Sequence, residues 1–117
     1  MSDDLTPTSV TSTSTETTGR VLNSARHNHF VIDSPYEPAE AVSTGESFLA
    51  GISACGVTLV QGAARDEEIP LDRLSVQITS WRGDAKPFDF DHIDVELIYT
   101  GPTLEQAETL TEIWKSR

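Results

Sequence analysis

A chain of 117 residues is the length of one small domain, and its apolar share of 37% falls below the usual value of about 45–50%. Nineteen acids against eight bases give a net charge of −11, and the bases (Arg20, Arg26, Arg65, Arg73, Arg82, Lys86, Lys115 and Arg117) form no run. Nucleic acid and anionic membrane surfaces both select clustered Lys and Arg, so both are excluded as expected partners.

Residues 1–19 are rich in Thr and Ser and carry three acids and no base. Such a segment cannot bury enough apolar area to offset chain entropy, which makes it a tail. The competing reading is an edge strand over 10–17, because β-branched Thr fits a pleated surface. Arg20 to Leu22 and His29 to Ile32 read as two short strands around a polar turn at Asn23-Ser24-Ala25, and Asp33-Ser34-Pro35 ends the second.

Ser43-Thr44-Gly45-Glu46 has the spacing of a capping box, so a helix starts there and runs to about Glu67. Phe48, Leu49, Ile52, Val57, Leu59 and Val60 supply its apolar positions. Gly51, Gly56 and Gly62 each cost about 1 kcal/mol relative to Ala in a helix, and their presence implies a close-passing backbone. Leu74, Val76 and Ile78 alternate with polar residues, as do Ile93, Val95, Leu97 and Tyr99, which predicts a pair of half-buried strands. Thr103-Leu104-Glu105-Gln106 is a second capping box, followed by Ala107, Leu110, Ile113 and Trp114 at helical spacing. Strands, a long helix, a strand pair and a second helix give an α+β fold built on hairpins.

Cys55 is the only cysteine, so no intrachain disulfide can form, which fits a reducing cytosol. No basic segment leads into an apolar one, and the longest largely apolar run, Phe48 to Val60, is short and interrupted for a bilayer span. A cytoplasmic location is therefore expected. On a small-residue helix Cys55 is either core filling or a reactive thiol.

The run Glu46-Ser47-Phe48-Leu49-Ala50-Gly51-Ile52-Ser53-Ala54-Cys55-Gly56 resembles the cysteine helix of the OsmC/Ohr family. Two flanks are also similar: Arg26 to Pro35 before the helix, and Glu68 to Val76 after it. The resemblance spans residues 20–117. It implies an OsmC-like domain in an intertwined homodimer, with the cysteine helices central and the sites at the subunit interface. It further implies a thiol-dependent peroxidase that reduces organic hydroperoxides in oxidative-stress defence. Cys55 would be the peroxidatic nucleophile. Electrons would come from a thiol or dithiol, with no metal or organic cofactor.

Nine residues separate Glu46 from Cys55, which puts them on opposite sides of one helix, about 13 Å apart along its axis. A glutamate serving this thiol would come from the other chain or act through an arginine. Cys55 also lies beyond the reach of the helix N-terminal dipole, so a cation must hold its thiolate. Arg26 is the first candidate and Arg20 the second, with Glu46 orienting that arginine or the peroxide. Glu46 is equally explained as a capping residue. Phe48 and Ile52 suit a lipid-like substrate.

The sequence departs from the family pattern in three places. Gly45 occupies the position where the hydroperoxide-reducing members carry their glutamate, and Thr44 replaces a proline. The family's second cysteine and closing strand lie beyond Arg117, so relative to the family the domain is C-terminally incomplete. The alternative to an enzyme is a non-catalytic OsmC-fold dimer that binds a small apolar ligand.

His27 and His29 lack further ligands nearby in sequence, and Asp84, Asp89, Asp91 and Asp94 lack calcium-loop spacing. Trp81 and Trp114 read as core or interface anchors. No phosphate-binding glycine loop is present.

Overall fold

A computed structural model describes residues 5–37, 39–86 and 89–116. Seven elements follow one another: β1 (Thr11–Ser14), β2 (Val21–Ala25), β3 (Asn28–Ile32), α1 (Thr44–Asp66), β4 (Arg73–Trp81), β5 (His92–Thr100) and α2 (Leu104–Lys115). The chain forms two compact units that divide at Ser47–Phe48, within α1. The fold class is the expected α+β.

In the first unit β1, β2 and β3 make an antiparallel sheet in that order. β1 is fully exposed and pairs Thr11 with Ser24 through Ser14 with Val21. The polar turn does not sit at Asn23-Ser24-Ala25. β2 runs through Ala25, and the two-residue loop is Arg26-His27, with Ala25 opposite Asn28. The reason is Asn23, which is 4% exposed and fully partnered: Ser12 Oγ donates to its Oδ1 at 2.7 Å, and its Nδ2 donates to the Val21 and Phe30 carbonyls. A buried, satisfied amide holds a strand position as well as an apolar residue does. Arg26 takes the positive φ of 56° that a two-residue hairpin loop requires at its first position.

The second unit has its core between α1, α2 and the β4–β5 ribbon. Val60 and Ala64 on α1 and Leu110 on α2 are its buried hydrophobic residues, with Ala63, Ile69, Leu71, Leu74, Tyr99, Ile113 and Trp114 packed around them. Leu74 and Tyr99 are register partners across β4 and β5, and the Tyr99 hydroxyl hydrogen-bonds Thr111 Oγ1 on α2 at 2.9 Å. The second capping box forms as the spacing predicts: Thr103 Oγ1 accepts from the Gln106 N–H, and Gln106 Oε1 accepts from the Thr103 N–H.

α1 ends on two backbone bonds, Glu68 N–H to the Arg65 carbonyl and Ile69 N–H to the Ala64 carbonyl. Glu68 is left-handed at φ 54°. This is the Schellman pattern, with Ile69 folded back onto the core it helps to cover. With 23 residues α1 is long and apolar enough, by length and composition, to cross a membrane. The short-run expectation stopped at Val60, whereas the helix continues through small residues to Asp66.

Among the described residues of one chain no backbone passes close to the helix glycines, and the occupant at Gly56 is a side chain. A Cβ on Gly51 or Gly62 would meet nothing within 4 Å, while one on Gly56 would collide with the indole of Trp114. Gly101, at φ 118°, is the glycine that meets backbone: a Cβ there would lie 2.8 Å from the Pro70 carbonyl oxygen. Replacing Gly56 by Ala gains about 1 kcal/mol of helix propensity but overpacks the Trp114 contact at a cost of about 1–3 kcal/mol. Thermal unfolding of Gly56→Ala is expected at a lower temperature than wild type, with Gly51→Ala at or above it. Equal midpoints for the two variants would contradict the contact.

Candidate functional site

Cys55 is exposed on α1. Its neighbour Gly56 is buried. Successive helical residues point about 100° apart, so the seating of Gly56, Val60 and Ala64 on the core turns Cys55 outward. Phe48, Ile52, Cys55 and Leu59 recur at spacings of four, three and four, which puts them on one stripe. That stripe is open: Phe48 is 54% and Ile52 37% exposed.

Phe90, from the connection between β4 and β5, stacks on Phe48 with centroids 6.0 Å apart and planes 17° apart. The guanidinium carbon of Arg82 lies 4.7 Å from the Phe90 centroid. The Asp91 N–H donates to the Trp81 carbonyl at 2.6 Å and closes this connection at its base. Trp81 itself is half exposed, stacks on His92 at 5.6 Å and donates its indole N–H to Asp94 Oδ2. Nothing in the sequence paired Phe90 with Phe48; the contact joins residues 42 positions apart, 48 to 90.

Glu46 occupies the start of α1. Its Oε1 accepts from the Ser43 N–H at 2.8 Å, and its own N–H donates to Ser43 Oγ at 3.2 Å. Both halves of the capping box are therefore made, and the carboxylate is engaged in it. Arg26 stands exposed on its hairpin loop, with no side-chain partner among the described residues.

Arg20 is committed differently. Its Nη2 donates to Asp33 Oδ2 at 3.0 Å and to Glu40 Oε1 at 2.6 Å. The Asp33 side chain is fully buried, and its carboxylate also accepts from the Ser34 N–H at 2.8 Å and the Glu40 N–H at 2.9 Å. The Asp33 N–H donates to the Val42 carbonyl, so one residue closes the 34–42 loop at several points. Burial pushes the Asp33 carboxyl upward, but the bonds from Arg20, Glu40 and Ser34 outweigh it and hold the group below its ordinary range. The same pairing, with Asp33 first and Glu40 second, raises the Arg20 guanidinium above its usual value. Sequence reasoning read Asp33 only as a strand end; its place before Ser34-Pro35 carried no sign of burial.

Among the described residues no group of three or more His, Cys, Asp or Glu side chains could hold a metal ion. His29 bonds Ser24, and His92 contacts Asp91 and Asp94.

No family model matches the sequence, and no curated protein matches it. Solved structures do. An OsmC-like protein from Mycoplasma pneumoniae superposes with a TM-score of 0.85 at 15% identity, covering 96% of this chain and 82% of that one. A Psychrobacter arcticus protein, described as a candidate osmotic-stress-induced and detoxification response protein, gives 0.73 at 17% identity, over 96% and 83%. An OsmC-like protein of unknown function from Vibrio cholerae gives 0.74 at 14% identity, over 96% and 89%. The chain has the OsmC-like fold.

Two outcomes follow from the site's polar groups. Asp33 has a lowered folded-state pKa, so its stabilisation is complete above its unfolded value of 3.8 and is lost as pH falls through the folded value. Chemical denaturation should show Asp33→Asn less stable than wild type at pH 7, with the gap closing below about pH 4; a gap constant with pH would refute the pairing. Glu46→Gln keeps the acceptor of the capping box, whereas Glu46→Ala loses it at a cost of about 1 kcal/mol. A Gln variant that matches wild type in both stability and thiol reactivity assigns Glu46 to the cap alone. A Gln variant as stable as wild type but less reactive assigns it to the chemistry.

Proposed function

We propose that this chain is a thiol-dependent peroxidase that reduces organic hydroperoxides. The observation that carries the reading is an exposed thiol, Cys55, in the middle of an open apolar stripe on the long helix of an OsmC-like fold. A reactive thiol must be reachable, and an apolar hydroperoxide needs apolar surface beside it. The Psychrobacter arcticus structure, described in terms of detoxification, supports placing the chain in stress defence.

The chemistry needs one sulfur. The Cys55 thiolate attacks the outer oxygen of ROOH, the O–O bond breaks, and the products are a sulfenic acid and an alkoxide that takes a proton to become the alcohol. A thiol donor then attacks the sulfenic sulfur and releases water, leaving a mixed disulfide. A second donor thiol resolves it, regenerating Cys55 and releasing the oxidised donor. Over the full cycle both electrons come from that donor.

Arg26 is the proposed stabiliser of the thiolate. Its guanidinium is uncommitted among the described residues, whereas Arg20 would have to leave Asp33 and Glu40. Glu46 would orient the arginine or the peroxide when not engaged by Ser43. The working form would be a cytoplasmic homodimer. The apolar residues left exposed on β3 and β5 (Phe30, Val31, Ile93, Val95 and Ile98), and the open positions at Gly51 and Gly62, support cover by a second copy. The engaged cap at Glu46 favours the second reading, a non-catalytic dimer that binds a small apolar ligand.

The deciding experiment treats the folded protein with cumene hydroperoxide and dimedone and weighs it. A dimedone adduct on Cys55, absent from Cys55→Ser, is expected, together with peroxide consumption when a dithiol is supplied. A Cys55 thiol unmodified after hours in folded protein would overturn the peroxidase in favour of the binding module.

A further inference from the structure

We propose that Trp114 is a positioning residue for Cys55: its indole, seated on Gly56, sets the rotation of α1 about its own axis and so holds the direction in which the thiol is presented. The inference rests on the reading of Cys55 as the nucleophile. It concerns a residue on another helix, 59 positions further along the chain, 55 to 114.

α1 has little of its own with which to resist rolling. Its buried residues are Gly56, Val60 and Ala64, all small. A seam of small residues has no tall ridge to lock into a neighbour's groove, so the partner helix must supply the key. Three atoms on the outer edge of the Trp114 ring, Cη2, Cζ2 and Cζ3, fill the place that a Cβ on Gly56 would take. Successive helical positions lie about 100° apart, so turning α1 by one position in either direction would set the side chain of Cys55 or Val57 against the ring.

The key is itself held. Trp114 follows Leu110 by four residues and Thr111 by three, which puts the three on one side of α2. Leu110 is fully buried. Thr111 Oγ1 shares a hydrogen bond of 2.9 Å with the Tyr99 hydroxyl, and Tyr99 stands opposite Leu74 in the ribbon. The capping box fixes where α2 begins. Position therefore passes from the ribbon to α2, from Trp114 to Gly56, and along one peptide bond to Cys55. Attack on a peroxide depends on alignment, and a displacement of about 1 Å can cost about 100-fold in rate.

Iodoacetamide alkylates the thiolate, so the pH dependence of its rate reads the surroundings of the sulfur without any peroxide. In Trp114→Ala the vacated space lets α1 roll. The alkylation profile should be displaced along the pH axis, and oxidation of Cys55 by cumene hydroperoxide should slow about tenfold. Gly56→Ala, which lodges a methyl against the indole, should act in the same direction. Combining Gly56→Ala with Trp114→Phe fits that methyl into the room a shorter ring leaves, and should bring both readouts back toward wild type. A displaced profile in the single variants, recovered in the double variant, supports the proposal. A purely structural role would lower stability and leave the profile of the folded protein unchanged; that result, with each variant folded by circular dichroism, overturns it. Should Trp114→Ala fail to fold, Gly56→Ala and the double variant carry the same comparison. A thiol that no hydroperoxide oxidises, beside alkylation profiles that follow the expected pattern, refutes the peroxidase and leaves the positioning role standing.

Discussion

The indole of Trp114 lying on Gly56 is the contact from which the geometry of the second unit follows. It seats α2 on α1 at a point where α1 has no side chain, and it fixes which face of the long helix meets the core. Once Gly56, Val60 and Ala64 face inward, helical periodicity leaves no freedom for the rest. Phe48, Ile52, Cys55 and Leu59 must share another face, roughly a quarter turn away. The exposure of the thiol is thus a by-product of how a large aromatic residue finds room. A rotation of the helix that buried Cys55 would bring side chains into the space the indole fills.

The first unit depends on a buried charge in the same way. Asp33 ends β3 and gathers the backbone of the following loop around its carboxylate, with Arg20 as its counter-ion. A buried carboxylate is tolerable only with every acceptor site satisfied, and here guanidinium and amide donors converge on both oxygens. That arrangement draws on one of only eight cations in a chain with 19 acids. A thiolate that needs a positive partner therefore competes with carboxylates for a scarce resource, and an arginine without such a tie, as Arg26 is, has more value than its exposed position implies.

Much of this architecture could be read from the residues because its signals are local. Ser43 with Glu46 and Thr103 with Gln106 mark helix starts through side chains that reach three residues, and both boxes form. Alternation over 74–78 and 93–99 marks the ribbon, and the register matches it residue for residue. What escaped was non-local. Asn23 looked like a turn former because its composition class is; only the Ser12 hydroxyl across the sheet makes it a strand residue. Gly56 was read as space for a backbone, and the occupant is an aromatic ring 58 residues further on, at 114. At the candidate site Cys55 was legible as the sole thiol, and Glu46 was legible in two roles, of which the cap is the one its hydrogen bonds describe. Phe90 and Asp33 gave no signal, since a stacking partner and a buried counter-ion are properties of the folded chain.

Among the described residues of one chain the ribbon of β4 and β5 has no interior strand. Each of its nine-residue members keeps only one flank in the ladder, so the outer flank of each offers peptide groups to any passing extended segment. Asp94 and Glu96 stand on β5, and the chain around them is strongly anionic. Like charge adds a cost at every step of an open-ended stack of such flanks, whereas a closed pair of copies meets it only once. The acidic surplus that at first only ruled out polyanionic partners thereby serves as a guard against self-templated fibre growth, and it is a guard that dissolved salt weakens.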